Sequence, residues 1–213
     1  MATPKFNRII TEFSRKIGMP AQWQRDVLLD RYDMTAVEYI NYVNNAMMKL
    51  FNDKWGEVKG DKQSFVNMFP ELVETKAPAF VKEDVSVPRY SYVSLTNTAL
   101  PLANLYSVLY ANYTTTFIEN ASPDMLFALE MGTVSLASIT SPLIVQGRGN
   151  LYIFPALSSS LAVTVNYIKL PKKADGNFIT QNGDTDSPFD DSWNTVIADI
   201  ATQMFIAESQ NNA

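Results

Sequence analysis

Over roughly the first 75 residues, apolar positions recur every three or four residues, the period of a helix with one buried face. Phe6, Ile9, Ile10, Phe13 and Ile17 predict a helix over 5–17, stopped by Gly18 and Pro20. Trp23, Val27 and Leu28 share a face of a second, over 21–31. A longer helix is expected from Thr35 to about Trp55, with Ala36, Ile40, Val43, Met47 and Leu50 as its stripe and Val37 and Phe51 widening it. Thr35 and Glu38 have the spacing at which each side chain satisfies a free amide at a helix start, and Gly56 is expected to end the helix. So large an apolar face must be covered, either by the chain's own core or by a neighbouring subunit. A shorter helical stretch is expected over 61–75, with Phe65, Phe69, Leu72 and Val73 to pack, interrupted at Pro70 and finished by Pro78.

From Val81 the period shortens to two. Val85, Val87, Tyr90, Tyr92, Val93 and Leu95 alternate imperfectly, and Pro88 marks this strand as an edge or a bulge. The stretch 105–116, LYSVLYANYTTT, is rich in aromatic and β-branched residues and is expected to be extended. Ser122-Pro123-Asp124 has the features of a helix start, and Gly132 limits that helix to Glu130 or Met131. Residues 133–140 are expected to be extended. Leu143–Gln146 and Leu151–Phe154 flank Gly-Arg-Gly-Asn, a hairpin turn whose glycines suit positive φ. In the last strand Leu161, Val163, Val165 and Tyr167 are expected to face the core, with Ala162, Thr164, Asn166 and Ile168 opposite and Lys169 at the end. After a polar loop over 175–189, Trp193, Ile197, Ile200, Met204 and Ala207, joined by Val196, make the stripe of a final helix capped near Asp190–Ser192.

The expected fold is therefore α+β: antiparallel helices packed beside a small antiparallel β domain, with a C-terminal amphipathic helix. The expected division is an N-terminal helical part over 1–80, a β-rich part over 81–171, a polar acidic loop over 172–189, and a C-terminal helix over 190–213 packing on the N-terminal helices.

The absence of Cys and His from the sequence rules out disulfides, Cys- or His-ligated zinc, and thiol or imidazole catalysis. No phosphate-binding glycine motif occurs, since Gly-Arg-Gly-Asn opens no helix. The spacing of Asn182, Asp184, Asp186 and Asp190 invites a calcium reading but lacks the central Gly and closing Glu of a calcium loop. No cofactor, metal or catalytic activity is expected. No apolar run is long enough to span a bilayer, and the N-terminus has no apolar signal core, so neither membrane insertion nor export by that route is expected.

Charge is distributed unevenly. Residues 1–62 hold ten basic and eight acidic side chains, whereas residues 174–213 hold seven acids and no base. Between Val85 and Ile168 only Arg89, Glu119, Asp124, Glu130 and Arg148 are charged, far below the roughly 25% of ordinary globular chains. Such a middle is either an all-β core with a neutral surface or a surface covered by other subunits. It does not supply the clustered Lys and Arg that sequence-independent nucleic-acid binding uses. Candidate interface residues are Tyr106, Tyr110, Tyr113, Arg148, Lys169, Lys172 and Lys173. The two lysines after Pro171 are read first as solvated charge, with a docking patch as the alternative, and the three tyrosines also suit a carbohydrate-binding surface.

The order of parts carries a resemblance. A helix with YINYVNNAMMKLFNDKW, a β insertion, LYIFPA leading to AVTVNYIKLPKK, and a last helix WNTVIADIATQMFIA resemble the head–tail connector (adaptor or ring) proteins of short-tailed bacteriophages, including the crAss-like group. The matching strand end is Tyr167, Ile168, Lys169, Leu170 and Pro171, preceded by Tyr152, Ile153, Phe154 and Pro155; residues 96–135 depart from the pattern. The resemblance implies a structural virion protein of the neck or tail region, made in the host cytoplasm. It implies a homo-oligomeric ring of about twelve copies, bound to the portal protein and to the next tail or ring protein, with a channel through which DNA passes without specific binding. Alternatives are a tail-tube, tail-terminator or minor capsid protein, or a carbohydrate-binding tail module.

Overall fold

A computed structural model describes residues 5–18, 36–95, 102, 104–113, 116–132, 141–157, 163–172 and 187–211. The helix expected over 21–31, the Thr35–Glu38 capping contact, the extended segment over 133–140, the side chains of Leu161, Ala162 and Lys173, and most of the polar loop lie outside them.

The protein is α+β. Its described helices are α1 (Lys5–Lys16), α2 (Ala36–Glu57), α3 (Lys62–Met68), α4 (Leu126–Glu130) and α5 (Asn194–Asn211). Its strands are β1 (Val73–Lys76), β2 (Val81–Lys82), β3 (Ser91–Ser94), β4 (Leu105–Tyr113), β5 (Thr116–Asn120), β6 (Leu143–Gly147), β7 (Asn150–Phe154) and β8 (Val163–Lys169). Two compact units share the chain: a helical unit that ends at Leu72 and resumes at Pro171, and a β unit from Val73 to Leu170.

In the helical unit, Ile9, Ile10 and Phe13 of α1 and Ile40, Val43, Met47, Leu50 and Phe51 of α2 are buried, as their spacing predicts. The α2 helix runs through Gly56 to Glu57, and the reversal follows at Lys59 (φ 51°) and Gly60 (φ 78°). One mid-helix glycine costs about 1 kcal/mol; Trp55, whose ring lies 5.2 Å from that of Phe65, anchors the extra turn. Asp61 caps α3 by accepting a hydrogen bond from the Gln63 amide at 3.1 Å. Phe65, Phe69, Phe189 and Trp193 then pack ring against ring. Burying each such side chain contributes about 1.5–3 kcal/mol, more than the roughly 0–1 kcal/mol of an exposed ion pair, so packing dominates this unit's stability.

Two expectations for the helices are corrected. The buried stripe of α5 is Ile197, Ala198, Ala201 and Phe205, while Ile200 and Met204 are only partly covered and Val196 and Ala207 are exposed. The two alanines let both α1 and α2 approach α5 closely, and α5 packs on both far more than they pack on each other. In addition, Arg8 pairs with Asp191 at 3.1 Å and Lys16 with Asp199 at 2.6 Å. The pairing advances by eight residues along each chain segment, so α1 and α5 run parallel rather than antiparallel. No short connection joins them, and short connections are what impose the antiparallel arrangement.

The helical reading of residues 73–75 is also corrected. After Phe69 a 3-10 turn at Pro70–Leu72 leads into β1, which pairs antiparallel with β8, Val73 opposite Ile168 and Lys76 opposite Val165. Among the described residues the sheet has eight strands in the order β1-β8-β4-β5-β6-β7-β3-β2. It is not wholly antiparallel: β5 and β6 are parallel, which requires a crossover, and the segment containing α4 supplies it. Val93, Val108, Ala111, Ile118, Ile144, Leu151, Ile153, Val163, Val165 and Tyr167 join in one buried cluster on one face of this sheet. The inward set expected for β8 is thus in place for Val163, Val165 and Tyr167; Ile168, on the opposite face, is fully buried as well.

Residues 85 and 87, expected in a strand, sit in the β2–β3 loop with Val85 50% and Val87 78% exposed; Pro88 lies in that loop, and the edge strand is the two-residue β2. Thr116 opens β5 instead of closing β4, with Tyr113 paired to Thr116 across the hairpin. The β6–β7 hairpin forms as predicted, Gly147 opposite Asn150. Its two turn residues, Arg148 (φ 48°) and Gly149 (φ 72°), both take the left-handed conformation that matches strand twist. Gly147 serves differently from the expectation: a Cβ there would stand 2.9 Å from Leu126 Cδ2.

Candidate functional site

The charge-poor β unit concentrates its few charges. Arg89 Nη2 lies 2.8 Å from Glu83 Oε1, its Nε donates to Glu83 Oε2 at 3.3 Å, and its backbone amide donates to the same oxygen at 3.0 Å. Arg89 Nη1 donates to the carbonyl oxygen of Glu130, at the end of α4. The Glu130 carboxylate in turn pairs with Arg148, Oε2 to Nη1 2.8 Å. Three of the five charged residues between Val85 and Ile168 therefore belong to one network, which ties the β2–β3 loop, α4 and the β6–β7 turn together. Hydrogen bonds from Arg89 hold the Glu83 carboxyl below the usual carboxylate range, and Glu83 raises the Arg89 guanidinium. Burial pushes the Tyr90 hydroxyl up.

Under the network lies an aromatic cluster. Tyr90 stacks edge-on against Tyr152 at 5.3 Å and lies 5.4 Å from Phe154, beneath Leu126 and Leu129 of α4. The network and α4 thus rest on a packed aromatic floor.

The predicted interface residues do not form one surface. Tyr110 is 42% exposed on the outer face of β4, whereas Tyr113 packs against the inner core, one residue out of phase with it. Tyr106 falls where the β4–β8 register shifts and is half-buried. Arg148 projects from the hairpin turn with its side chain 59% exposed. Lys169 ends β8 and lies 3.8 Å from Glu74, which also binds Lys76 at 2.8 Å. Burial, with a further contribution from Glu74, raises the neighbouring Tyr167 hydroxyl, which donates to Asn104 Oδ1 at 3.2 Å. Lys172 is half-buried, and Lys173 is outside the described residues.

Other exposed side chains were not singled out by sequence reasoning. Phe117 of β5 is 58% exposed and lies against Tyr110, ring centroids 6.4 Å apart with planes 24° from parallel. Phe127 (64%) and Met131 (59%) project from α4 and its end. The available signal for Phe117 was its alternation with Ile118, which puts one of the two outside whenever the other is in the core.

No protein-family model matches this chain, and no curated protein sequence matches it.

Proposed function

We propose that this protein is a structural subunit that acts by assembly: copies associate into a head–tail connector ring that joins the portal to the tail and leaves a channel for DNA. The observation that carries the assembly reading is the placement of exposed apolar side chains. Of nine large exposed hydrophobic residues among those described, seven (Val81, Val85, Val87, Tyr110, Phe117, Phe127 and Met131) belong to the β unit, the part of the chain with the fewest charges. Contact surfaces between subunits combine aromatic and Met enrichment with charge depletion in this way. The place in the virion rests on the resemblance of the strand end at Tyr167–Pro171 and the order of parts to connector proteins.

In this reading the chemistry of the protein is geometric. The hairpin and α4 are braced by the Glu83–Arg89–Glu130–Arg148 network so that contact residues are held in fixed relative positions before association, which lowers the entropy lost on binding. The test is the mass of the purified chain by analytical ultracentrifugation, alone and with the portal protein, together with negative-stain images of the products. Rings or defined oligomers in either condition are expected. A chain that stays monomeric at every concentration and ignores the portal overturns the proposal.

A further inference from the structure

Two exposed apolar groups of the β unit stand at opposite ends of the same pair of strands, one beside a carboxylate and the other beside a partly exposed guanidinium. At one end Tyr110 and Phe117 form a near-parallel ring pair, with the exposed Glu119 two residues along the same face of β5. Glu119 makes no ion pair among the described residues. At the other end Phe127 and Met131 flank Glu130, whose carboxylate holds Arg148; that guanidinium binds Glu130 through one nitrogen, and the Arg148 side chain as a whole is 59% exposed.

The strand register sets how far apart these ends are. Asn120 of β5 lies opposite Ile144 of the parallel strand β6. Phe117 comes three residues before that point and Arg148 four residues after it, a separation of roughly 20 Å along the strand direction. Two complementary surfaces on opposite ends of one subunit cannot satisfy each other within a copy. Nor does the Tyr110–Phe117–Glu119 face pair with its own copy across a two-fold axis, because carboxylate would then face carboxylate. A neighbouring copy displaced along the same direction covers one of the two surfaces, and a further copy on the other side covers the second.

We propose that the Arg148–Phe127–Met131 end of one copy seats on the Tyr110–Phe117–Glu119 face of the next, the guanidinium lying over the paired rings and against the Glu119 carboxylate. This is a heterologous contact, so it closes into a ring or runs on as a filament according to the rotation per copy. The inference rests on the assembly reading above and specifies the surfaces it uses.

The sequence contains no cysteine, so introduced thiols are the sole sites for a maleimide cross-linker. Full-length Thr116→Cys and Met131→Cys variants, carrying tags of different size, are mixed and treated with a short bis-maleimide. The expected product is the mixed dimer, with little of either homodimer, and a chain bearing both cysteines gives a ladder. Adding Phe117→Asp to that double variant should reduce the ladder at least tenfold while circular dichroism melting stays as in the parent. Homodimers of either single variant, or a ladder indifferent to Phe117→Asp, overturn the proposed contact. If the parent chain sediments as an oligomer while no mixed dimer forms, these surfaces are wrong and the assembly reading stands. If it sediments as a monomer with and without the portal, both fail.

Discussion

Arg89 forks onto Glu83, Nη2 to Oε1 2.8 Å and Nε to Oε2 3.3 Å, and this one pair closes the β2–β3 loop against its own base. Because Arg89 lowers the carboxyl below its ordinary value of 4.5, the folded protein holds the ionised form more firmly than the unfolded chain does. The stabilisation is therefore fully present above that value and is lost as the pH falls through the lowered folded pKa. Glu83→Gln is expected to lower the melting temperature at pH 7, with the gap to the parent narrowing as the pH drops below 4.5. Scanning calorimetry across that range checks it; an equal gap at every pH would show that the carboxylate charge is not what matters.

Val165 is fully buried in the β core between Val163 and Tyr167 on the same face. Val165→Ala is expected to remain folded with a loss of about 2 kcal/mol, the transfer of two methyl groups and part of the space they leave. Val165→Asp is expected to yield no soluble protein, since a lone charge there has no partner. Soluble yield and urea unfolding separate the two outcomes, and a soluble, parent-like Val165→Asp variant would reverse the assigned inward face.

The helical unit offers a paired test of the face that α5 buries. Ala198 is fully buried, whereas Ala207 is exposed. Ala198→Leu should destabilise by about 1–3 kcal/mol through overpacking, and Ala207→Leu should change stability by less than about 0.5 kcal/mol. Denaturant unfolding of both variants measures the difference; the reverse order would restore the stripe of Met204 and Ala207.

Two glycines should respond to alanine with opposite signs. Gly56 lies within α2 with open space where a methyl group would stand, so Gly56→Ala is expected to gain about 0.5–1 kcal/mol. Gly149 has a φ of 72°, and Gly149→Ala is expected to lose about 1–2 kcal/mol because a side chain there crowds the following carbonyl. Thermal melts of the two proteins, read against the parent, decide both.

Only part of the candidate contact surface is legible in the sequence. Arg148 stands out because it interrupts two glycines in a strongly patterned hairpin, and Tyr110 because it belongs to a run of aromatic and β-branched residues with few charges. Phe127 and Met131 give no signal, because an apolar residue on a five-residue helix or at its C-cap reads equally as core or as surface. Their exposure follows from α4 turning Leu126 and Leu129 onto the sheet, which leaves the opposite side of the helix uncovered.

By itself the sequence determined whatever is decided within a few residues. The stripes of α1 and α2, the reversal at Arg148–Gly149 and the inward set of β8 each follow from local spacing and backbone sterics. Tertiary structure decided what depends on distant partners. Residues 73–76 became a strand because β8, some ninety positions later, offers them a hydrogen-bonding edge that local periodicity does not reveal. The buried face of α5 was set by where α1 and α2 lie: apolar residues surround most of that helix, so its own pattern is nearly neutral, and the small volume of Ala198 and Ala201 selected the side of close approach.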